Sequence, residues 1–328
     1  MELHGGTPRE DLVDFSISIN PYAPAWKGKF ISACDKSLSR YNHVEWIEEK
    51  FKKIYGEDTV ILAGATEAFH IIGFTFMDEA DVVIPVPSYG ELKRVATFRA
   101  SKIHLIRNSL SNAFELSRKL ALNGRKTVLI FSNPNNPTGL CAPAETKKWI
   151  EDVENVGVTV VVDEAFMDFV KEPFEIGTSR TIKIHSFTKS YGMPGIRIGY
   201  VEVENSKWRE EFLKYRMPWG IGACGYEFIK FLVEDDKDHL KRTMPLIWKE
   251  RERFLKLGMK TDANFGTLKV ENAKKIQKEL DALGIHVRNC ESFGLEQTIR
   301  IAIRTKREND MLFEALQKVG FFRKGDRF

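Results

Sequence analysis

The chain has 328 residues, of which 43% are hydrophobic and 29% are charged. These values are ordinary for a globular protein and exclude collagen-like, low-complexity and largely disordered chains. The formal net charge is +4 and no block of like charges occurs, so the sequence lacks the basic patch of a nucleic-acid-binding protein. Because a single hydrophobic core usually stops growing at about 250–300 residues, we expect two domains.

Features that report on cellular compartment favour the cytoplasm. No apolar run approaches the about 18 residues that a membrane helix needs. The first ten residues, MELHGGTPRE, lack the apolar core of a secretory signal. The four cysteines form no CxxC pair, which argues against a disulfide framework and a zinc site. We therefore expect a cytoplasmic protein without a metal ion and without membrane or nucleic-acid partners.

From about residue 58, short β-branched runs alternate with helical patterns. Strands are predicted at Val82–Val86, Lys102–Ile106, Thr127–Phe131, Val158–Val162, Thr181–His185 and Ile198–Val203. Helices are predicted at Thr66–Met77, Glu91–Arg99, Pro143–Asn155 and Lys207–Tyr215. This alternation predicts an α/β fold with a large, doubly wound, mostly parallel sheet.

The pattern changes after Met217 and Pro218. A charged helical stretch runs from Tyr226 to Leu257, with an interruption predicted near Pro245. Strands then follow near Gly266–Val270, Ile285–Val287 and Ile299–Ile303, with helices at Ala273–Leu283 and Glu308–Val319. We expect an extended N-terminal arm over residues 1–30 that joins a smaller α+β domain over 216–328, and a large domain over 31–215.

Five clusters of glycine, proline and polar residues border these elements, and the first is AGATE at 63–67. Small residues before a helix let backbone N–H groups approach an anion, which the helix dipole also favours. The alternative is an ordinary turn with Thr66 as the helix N-cap.

The second and third clusters follow two apolar strands. The loop NPNNPTG at 133–139 is made rigid by its prolines and presents side-chain amides. Asp163 ends the most apolar strand and begins DEAF at 163–166, where a carboxylate is costly unless it meets a cation. An N-cap or a surface aspartate is the alternative.

The last two clusters carry cations. Lys189 lies in a Ser/Thr/Gly-rich loop after a strand, which makes it a candidate Schiff-base lysine, although most lysines are simply solvated. Arg300 and Arg304, with Arg288 upstream, have the side chain suited to bidentate capture of carboxylate or phosphate. Surface ion pairs are the alternative for these arginines.

In this order, NPNNPTG, DEAF and SFTKSYGMPGIRIGY resemble the motifs of the fold-type-I pyridoxal-phosphate enzymes, the aspartate aminotransferase superfamily. The resemblance spans residues 63–203 and continues to Arg304. Ser186 lies three residues before Lys189 and Arg197 eight after it, as in that family.

The resemblance implies pyridoxal 5'-phosphate as the cofactor and a role for each residue near its ring. Lys189 would hold it covalently and move protons, and Asp163 would pair with the pyridine nitrogen. Tyr89 would stack on the ring, and Asn136 would hydrogen-bond its phenolic oxygen. Phe166 stands where many relatives carry a tyrosine that donates a second such bond.

The resemblance also implies how the cofactor phosphate is bound. Ala65 and Thr66, at the start of the first helix, would hold it together with Ser186 and Arg197. Tyr41 would reach the phosphate of a neighbouring subunit, which implies a homodimer with shared active sites.

Two branches of the superfamily compete for the substrate. Histidinol-phosphate aminotransferases share NPNNPTG and the lysine loop. Threonine-phosphate decarboxylases, which make the aminopropanol phosphate of the cobalamin side chain, match further segments at both ends of the chain. The resemblance implies that His4, Gly5, Asn20, Asn136, Arg288 and Arg300 contact the substrate, with Arg300 on its α-carboxylate. Ser18 stands where threonine-phosphate decarboxylases usually carry an asparagine.

The leading hypothesis is therefore a pyridoxal-phosphate lyase that decarboxylates O-phospho-L-threonine to an aminopropanol phosphate. A histidinol-phosphate-type aminotransferase acting on a phosphorylated amino substrate is the alternative. A cofactor-binding regulatory domain without turnover is disfavoured, because Lys189 stands in an intact loop.

Overall fold

The computed structural model describes residues 5–234 and 238–321. The strands are β1 (Val13–Asp14), β2 (Thr59–Leu62), β3 (Asp81–Val86), β4 (Lys102–Arg107), β5 (Thr127–Ser132), β6 (Thr159–Asp163), β7 (Ile182–Ser186), β8 (Gly199–Glu202), β9 (Phe265–Lys269), β10 (Ile285–His286), β11 (Arg288–Asn289) and β12 (Thr298–Ala302). The helices are α1 (Lys27–Ser37), α2 (Glu45–Tyr55), α3 (Ala65–Thr75), α4 (Gly90–Arg99), α5 (Leu110–Leu122), α6 (Thr146–Glu154), α7 (Phe187–Ser190), α8 (Ser206–Tyr215), α9 (Ala223–Glu234), α10 (His239–Lys256), α11 (Ala273–Ala282) and α12 (Lys306–Lys318).

Seven of these strands lie side by side in one sheet, in the order β2-β8-β7-β6-β5-β3-β4. β8 runs antiparallel to both neighbours, and the strands from β3 to β7 are parallel to one another. Every residue of β5 is buried, as expected of a strand with packed side chains on both faces of the sheet. The predicted α/β class with a large, mostly parallel sheet is confirmed. The carboxyl ends of β5, β6 and β7 meet at one edge, where ligands bind in such sheets.

The helices show where sequence patterns were insufficient. The predictions did not include α1, α2 or α5, and the predicted break near Pro245 is wrong, since Pro245 lies inside α10. The proline forfeits one backbone hydrogen bond, while α10 buries a face that includes Ile247 and Phe254, and this packing offsets the loss. Within the described residues, no helix combines the length and apolar character needed to cross a membrane.

The C-terminal part builds a smaller sheet beside the large one. β11, β12 and β9 form an antiparallel three-stranded sheet, and β1 of the N-terminal arm pairs with β10 in parallel. α9 packs instead with α1, where the rings of Phe30 and Phe228 lie 6.5 Å apart, and Phe228 also meets Phe187 beside the large sheet at 5.8 Å. We propose that the small domain begins after α9 rather than at residue 216.

Candidate active site

A cavity of about 210 Å³ lies where the carboxyl edge of the large sheet meets the N-terminal arm and the three-stranded sheet. Its wall gathers most of the predicted site residues: Gly5, Ala65, Thr66, Tyr89, Asn136, Asp163, Ser186, Lys189, Arg197, Arg288 and Arg300. Ser292 and Phe293 also line it, although no motif marked them. The fold thus brings together residues as distant in sequence as Gly5 and Arg300.

Asp163 ends β6 at the floor of the cavity and is buried. Its two carboxylate oxygens accept hydrogen bonds from the Ser132 hydroxyl at 2.9 Å and from the Ala165 backbone N–H at 3.1 Å. Burial nevertheless raises the pKa of Asp163 above its ordinary value. A carboxylate in this position is stabilised by a cation, which a protonated ring nitrogen would supply.

Replacing Asp163 by asparagine keeps the shape of the side chain and removes its charge. We expect turnover to fall by at least about 100-fold, with a much smaller loss of cofactor affinity, because the charge matters most in the transition state. Steady-state kinetics and a cofactor titration measure the two effects. Ser132→Ala, which removes one hydrogen bond to the same carboxylate, is the matched control with a smaller effect. Unchanged turnover in Asp163→Asn would disprove the assigned role.

Lys189 lies in α7, directly after β7, and its half-buried side chain lines the cavity. Burial, with the positive charges of Arg300 and Arg197, lowers the pKa of Lys189 to about 8. Its Nζ lies 5.8 Å from the centre of the Phe166 ring. Phe166 therefore presents an apolar surface to this amine. A substantial fraction of the amine is neutral near physiological pH, as a nucleophilic lysine requires.

Tyr89 directly precedes α4 and contributes an aromatic wall. Its ring lies 6.2 Å from that of Phe69, and burial raises the pKa of Tyr89 to about 12. The phenol therefore stays uncharged at neutral pH. Its face is suited to packing against a planar ring.

The turn before α3 forms an anion cradle. Gly64 has a φ of +80°, and a Cβ there would lie 2.9 Å from Arg197 Nη2, so the turn requires glycine. Arg197 Nη2 lies 3.5 Å from the Thr66 hydroxyl, and Arg197 itself has a φ of +52°. Gly64 is the N-cap of α3 and no described side chain caps this end, so Thr66 is not the N-cap. The first-turn N–H groups can therefore face an anion together with Arg197.

Glu67 fixes the cradle and was not singled out from the sequence. Its carboxylate is buried and accepts hydrogen bonds from the backbone N–H of Ala63 at 2.6 Å and of Met217 at 2.8 Å. It therefore ties the anion-binding turn to the loop after α8. The only sequence signal was its position in the first turn of a helix, which acidic residues occupy in many proteins.

Arg300 projects from β12 into the opposite side of the cavity. Its Nη1 donates to Asn136 Oδ1 and its Nη2 to the Ser16 carbonyl, both at 2.6 Å. Burial lowers the pKa of Arg300 to about 10, and its Nε finds no hydrogen-bond partner among the described residues. Each Nη carries a second N–H beyond these contacts, and Arg300 lines the cavity, so its guanidinium is suited to a carboxylate ligand.

Gly5 brings the N-terminal arm against this arginine. A Cβ on Gly5 would lie 2.4 Å from the Ser16 carbonyl oxygen and 3.3 Å from Arg300 Nη2. Only glycine fits, and the arm therefore closes over the guanidinium. Because Asn136 Oδ1 accepts from Arg300, the NH₂ end of that amide is the end that can donate to a bound ligand.

Arg288 places a second guanidinium at this end of the cavity. It lies directly opposite Arg300 in the pairing of β11 with β12, and its Nη2 contacts the Ser292 hydroxyl at 2.8 Å. Its guanidinium carbon lies 5.8 Å from the centre of the Phe293 ring. Two cations on neighbouring strands repel each other, so this pair favours a ligand with more than one negative charge.

Two predicted site residues, Asn20 and Tyr41, do not line the described cavity wall. Asn20, predicted to contact the substrate, is buried. Its side-chain NH₂ donates to the Ser190 carbonyl, and its oxygen accepts from the Tyr22 backbone N–H. Because these contacts occupy the amide, the structure corrects the predicted substrate contact. Tyr41 is 75% exposed and is not part of the described cavity wall. Its role at a neighbouring subunit stays a prediction. His4 lies outside the described residues.

The amine of Lys189, whose pKa is lowered, and the turn before α3, which can face an anion, thus lie at one cavity at the carboxyl edge of the sheet. The chain matches the family model of aminotransferase class I and II over residues 11–316, and it belongs to that family.

It is 28% identical over 325 residues to histidinol-phosphate aminotransferase 1 of Archaeoglobus fulgidus, covering 94% of this chain and 99% of the relative. A solved histidinol-phosphate aminotransferase from Clostridium acetobutylicum superposes with a TM-score of 0.82 at 26% identity, covering 94% of this chain and 99% of that chain. A solved L-threonine-O-3-phosphate decarboxylase from Porphyromonas gingivalis shares the fold, with a TM-score of 0.77, 19% identity and coverage of 92% and 98%.

Membership of this family confirms the predicted cofactor, pyridoxal 5'-phosphate, and the described residues fit it. The uncapped start of α3 with Arg197 suits its phosphate, and Asp163 suits its ring nitrogen. Lys189 offers an amine that loses its proton easily, and Tyr89 offers an aromatic face. The particular contacts remain predictions.

The pKa of Lys189 predicts how the protein takes up its cofactor. In cofactor-stripped protein, only the neutral amine attacks the carbonyl, so the uptake rate should rise with pH and level off above a midpoint of about 8. A solvated lysine would instead give a rate that rises up to about pH 10.4. Stopped-flow absorbance over pH 6 to 10 measures the midpoint. A midpoint above 9.5 would contradict the buried position of this amine.

Proposed function

We propose that this protein is a pyridoxal-phosphate-dependent decarboxylase that converts O-phospho-L-threonine to CO2 and an aminopropanol O-phosphate. The observation that carries the proposal is the pair Arg288 and Arg300, which face each other on neighbouring strands at the substrate end of the cavity. Phosphothreonine carries two anionic groups, a carboxylate and a phosphate. Histidinol phosphate carries only one.

The residues divide the work as follows. Arg300 binds the α-carboxylate, and Arg288 binds the phosphate. The bound cofactor supplies an electron-withdrawing ring that accepts the electron pair released at Cα. Asp163 keeps the ring nitrogen protonated. Lys189 would give up its bond to the cofactor to the substrate amino group, and it would deliver a proton to Cα once CO2 has left.

Orientation decides between decarboxylation and transamination. Binding contacts determine which bond at Cα is aligned for cleavage. With its carboxylate on Arg300 and its phosphate on Arg288, phosphothreonine would be held at both ends. We propose that these two contacts align the bond to the carboxylate carbon, rather than the Cα–H bond, for cleavage.

An aminotransferase acting on a phosphorylated amino substrate is the second candidate. It is supported by the 28% identity to a histidinol-phosphate aminotransferase over nearly the full length of both chains. In that case Lys189 would move the Cα proton and no carbon–carbon bond would break.

One incubation separates the two candidates. Pure protein, cofactor and phosphothreonine are combined with and without a keto acid, and CO2 and the phosphorylated amine are quantified. We expect one CO2 for each phosphothreonine consumed, with no need for a keto acid. If turnover requires the keto acid and releases no CO2, the aminotransferase hypothesis replaces the decarboxylase.

We propose in addition that the active unit is a cytoplasmic homodimer. Tyr41 and Trp219 are 75% and 60% exposed, and their rings lie 5.2 Å apart. Trp219 lies in the loop after α8, and the Met217 N–H of that loop donates to Glu67 beside the anion cradle. Exposed aromatic clusters are typical of protein interfaces. Sedimentation velocity should give the mass of a dimer, and Trp219→Asp should give a monomer with weaker cofactor binding. A native protein that sediments as a monomer would contradict this proposal.

A further inference from the structure

Asn20 uses its whole side-chain amide within the protein. Its NH₂ group donates to the Ser190 carbonyl at 2.8 Å and to the Thr243 hydroxyl at 2.9 Å, and its oxygen accepts from the Tyr22 N–H at 3.0 Å. Only 2% of the residue is exposed. These contacts exclude the substrate-binding role expected from the sequence and require another explanation for a buried asparagine in the arm.

The backbone of Asn20 binds the same loop. Its N–H donates to the Lys189 carbonyl at 2.8 Å, so Asn20 holds two consecutive carbonyls, those of Lys189 and Ser190. The next turn is equally close, since a Cβ on Gly192 would lie 2.3 Å from the Asn20 carbonyl oxygen. α7 has only four residues, and its terminal carbonyls need partners from outside the helix.

Asn20 therefore joins three parts of the fold. It belongs to the N-terminal arm, it holds the loop that carries Lys189, and through Thr243 it contacts the first turns of α10. His239 Nε2 of α10 lies 3.3 Å from the Asn20 amide nitrogen, and the His239 ring stacks on Tyr191 of the lysine loop at 5.0 Å. A displacement of Asn20 would therefore move the backbone that carries Lys189.

We propose that Asn20 is a positioning residue that holds Lys189 at the depth and angle at which its amine reacts. The proposal rests on the proposed function only in requiring that Lys189 is the reacting amine. A misplacement of about 1 Å can cost about 100-fold in rate even when binding is intact. The effect should therefore appear in kcat and in the titration of Lys189, not in the affinity for substrate.

The test compares three variants in the full chain. Asn20→Ala removes the amide, Asn20→Asp replaces the donor with an oxygen of the same shape, and Thr243→Val removes only the partner on α10. We expect kcat to fall by about 10- to 100-fold in both Asn20 variants, with KM changed by less than about threefold. Thr243→Val leaves the bond to Ser190 in place and should keep kcat within about threefold of the native value.

The second measurement uses no substrate. The pH midpoint for cofactor uptake by the stripped protein should move from about 8 toward the ordinary lysine value of 10.5 in Asn20→Ala, since a displaced amine is less buried. This midpoint does not depend on whether the enzyme decarboxylates or transaminates. If the CO2 test fails and the midpoint still moves, only the proposed reaction is wrong.

Two results would overturn the proposal. A rise in KM at constant kcat would make Asn20 a substrate contact after all. A lower melting temperature with an unchanged kcat and an unchanged pH midpoint would make it a purely structural residue. If Asn20→Ala does not fold, Asn20→Asp and Asn20→Ser are measured by the same two criteria.

Discussion

Turnover should fall by at least about 10²- to 10⁴-fold when Lys189 is replaced by alanine, because the substitution removes both the attacking amine and the proton donor. Among the described residues of the cavity wall, Lys189 is the one lysine. Borohydride reduction of the native protein should attach the cofactor permanently to the peptide that contains Lys189. Mass spectrometry of the Lys189→Ala variant should find no attached cofactor.

Lys183, on the strand β7 that precedes α7, provides the matched control. It is buried, but it pairs with Glu202 at 2.7 Å and with Glu175 at 3.2 Å, and its pKa is raised rather than lowered. Lys183→Gln should lower stability and leave the covalent attachment intact. Cofactor fixed by borohydride in the Lys189→Ala active site would refute the assignment.

The sequence predicted the fold and the site best where one short segment contains both a buried apolar strand and a polar residue at its end. β5 and β6 were predictable because strands with packed side chains on both faces must be continuous apolar runs. Asp163 stood out because a carboxylate at the end of such a strand is costly without a partner. Lys189 stood out only because its spacing from Ser186 and Arg197 resembles that of the family, and each of these residues lies at the cavity.

Residues that act through long-range contacts were not predictable in the same way. Asn20 is one short polar residue before a proline, and only the folded chain shows that it meets the Lys189 loop and Thr243. Glu67 bonds to Met217, 150 residues away. Ser292 and Phe293 reach the cavity because β11 pairs with β12. β11 has only two residues, which is too few for an alternation of apolar and polar side chains to be recognised in the sequence.

Pro245 illustrates the opposite error, in which a strong local rule is overridden by packing. Proline usually interrupts a helix, and the sequence predicted a break there. α10 continues through it because Met244 and Ile247 beside it are buried in the core of the small domain. Local propensity is therefore a weaker guide inside an amphipathic helix than the face that the helix buries.

The second large effect should distinguish the two arginines at the substrate end. Charge-assisted hydrogen bonds contribute about 1.5–3 kcal/mol each, so Arg288→Ala should weaken phosphothreonine by about 10- to 100-fold. Unphosphorylated threonine, which offers Arg288 no phosphate, should bind almost as it does to the native enzyme. Arg300→Ala should weaken both ligands, because both carry the α-carboxylate.

Arg300→Ala should also have the larger effect, since it leaves Asn136 and the Ser16 carbonyl without the guanidinium that both contact. Arg288→Lys is the matched control: it keeps the charge and loses the planar fork, so its affinity for phosphothreonine should lie between those of the native enzyme and Arg288→Ala. Inhibition constants and KM values for the two ligands measure these differences. Equal losses for threonine and phosphothreonine in Arg288→Ala would mean that Arg288 does not bind the phosphate. A loss of affinity for phosphothreonine alone would indicate that its phosphate binds Arg288 on β11 while its carboxylate binds Arg300 on β12. The proposed decarboxylation requires this binding at both ends of the substrate.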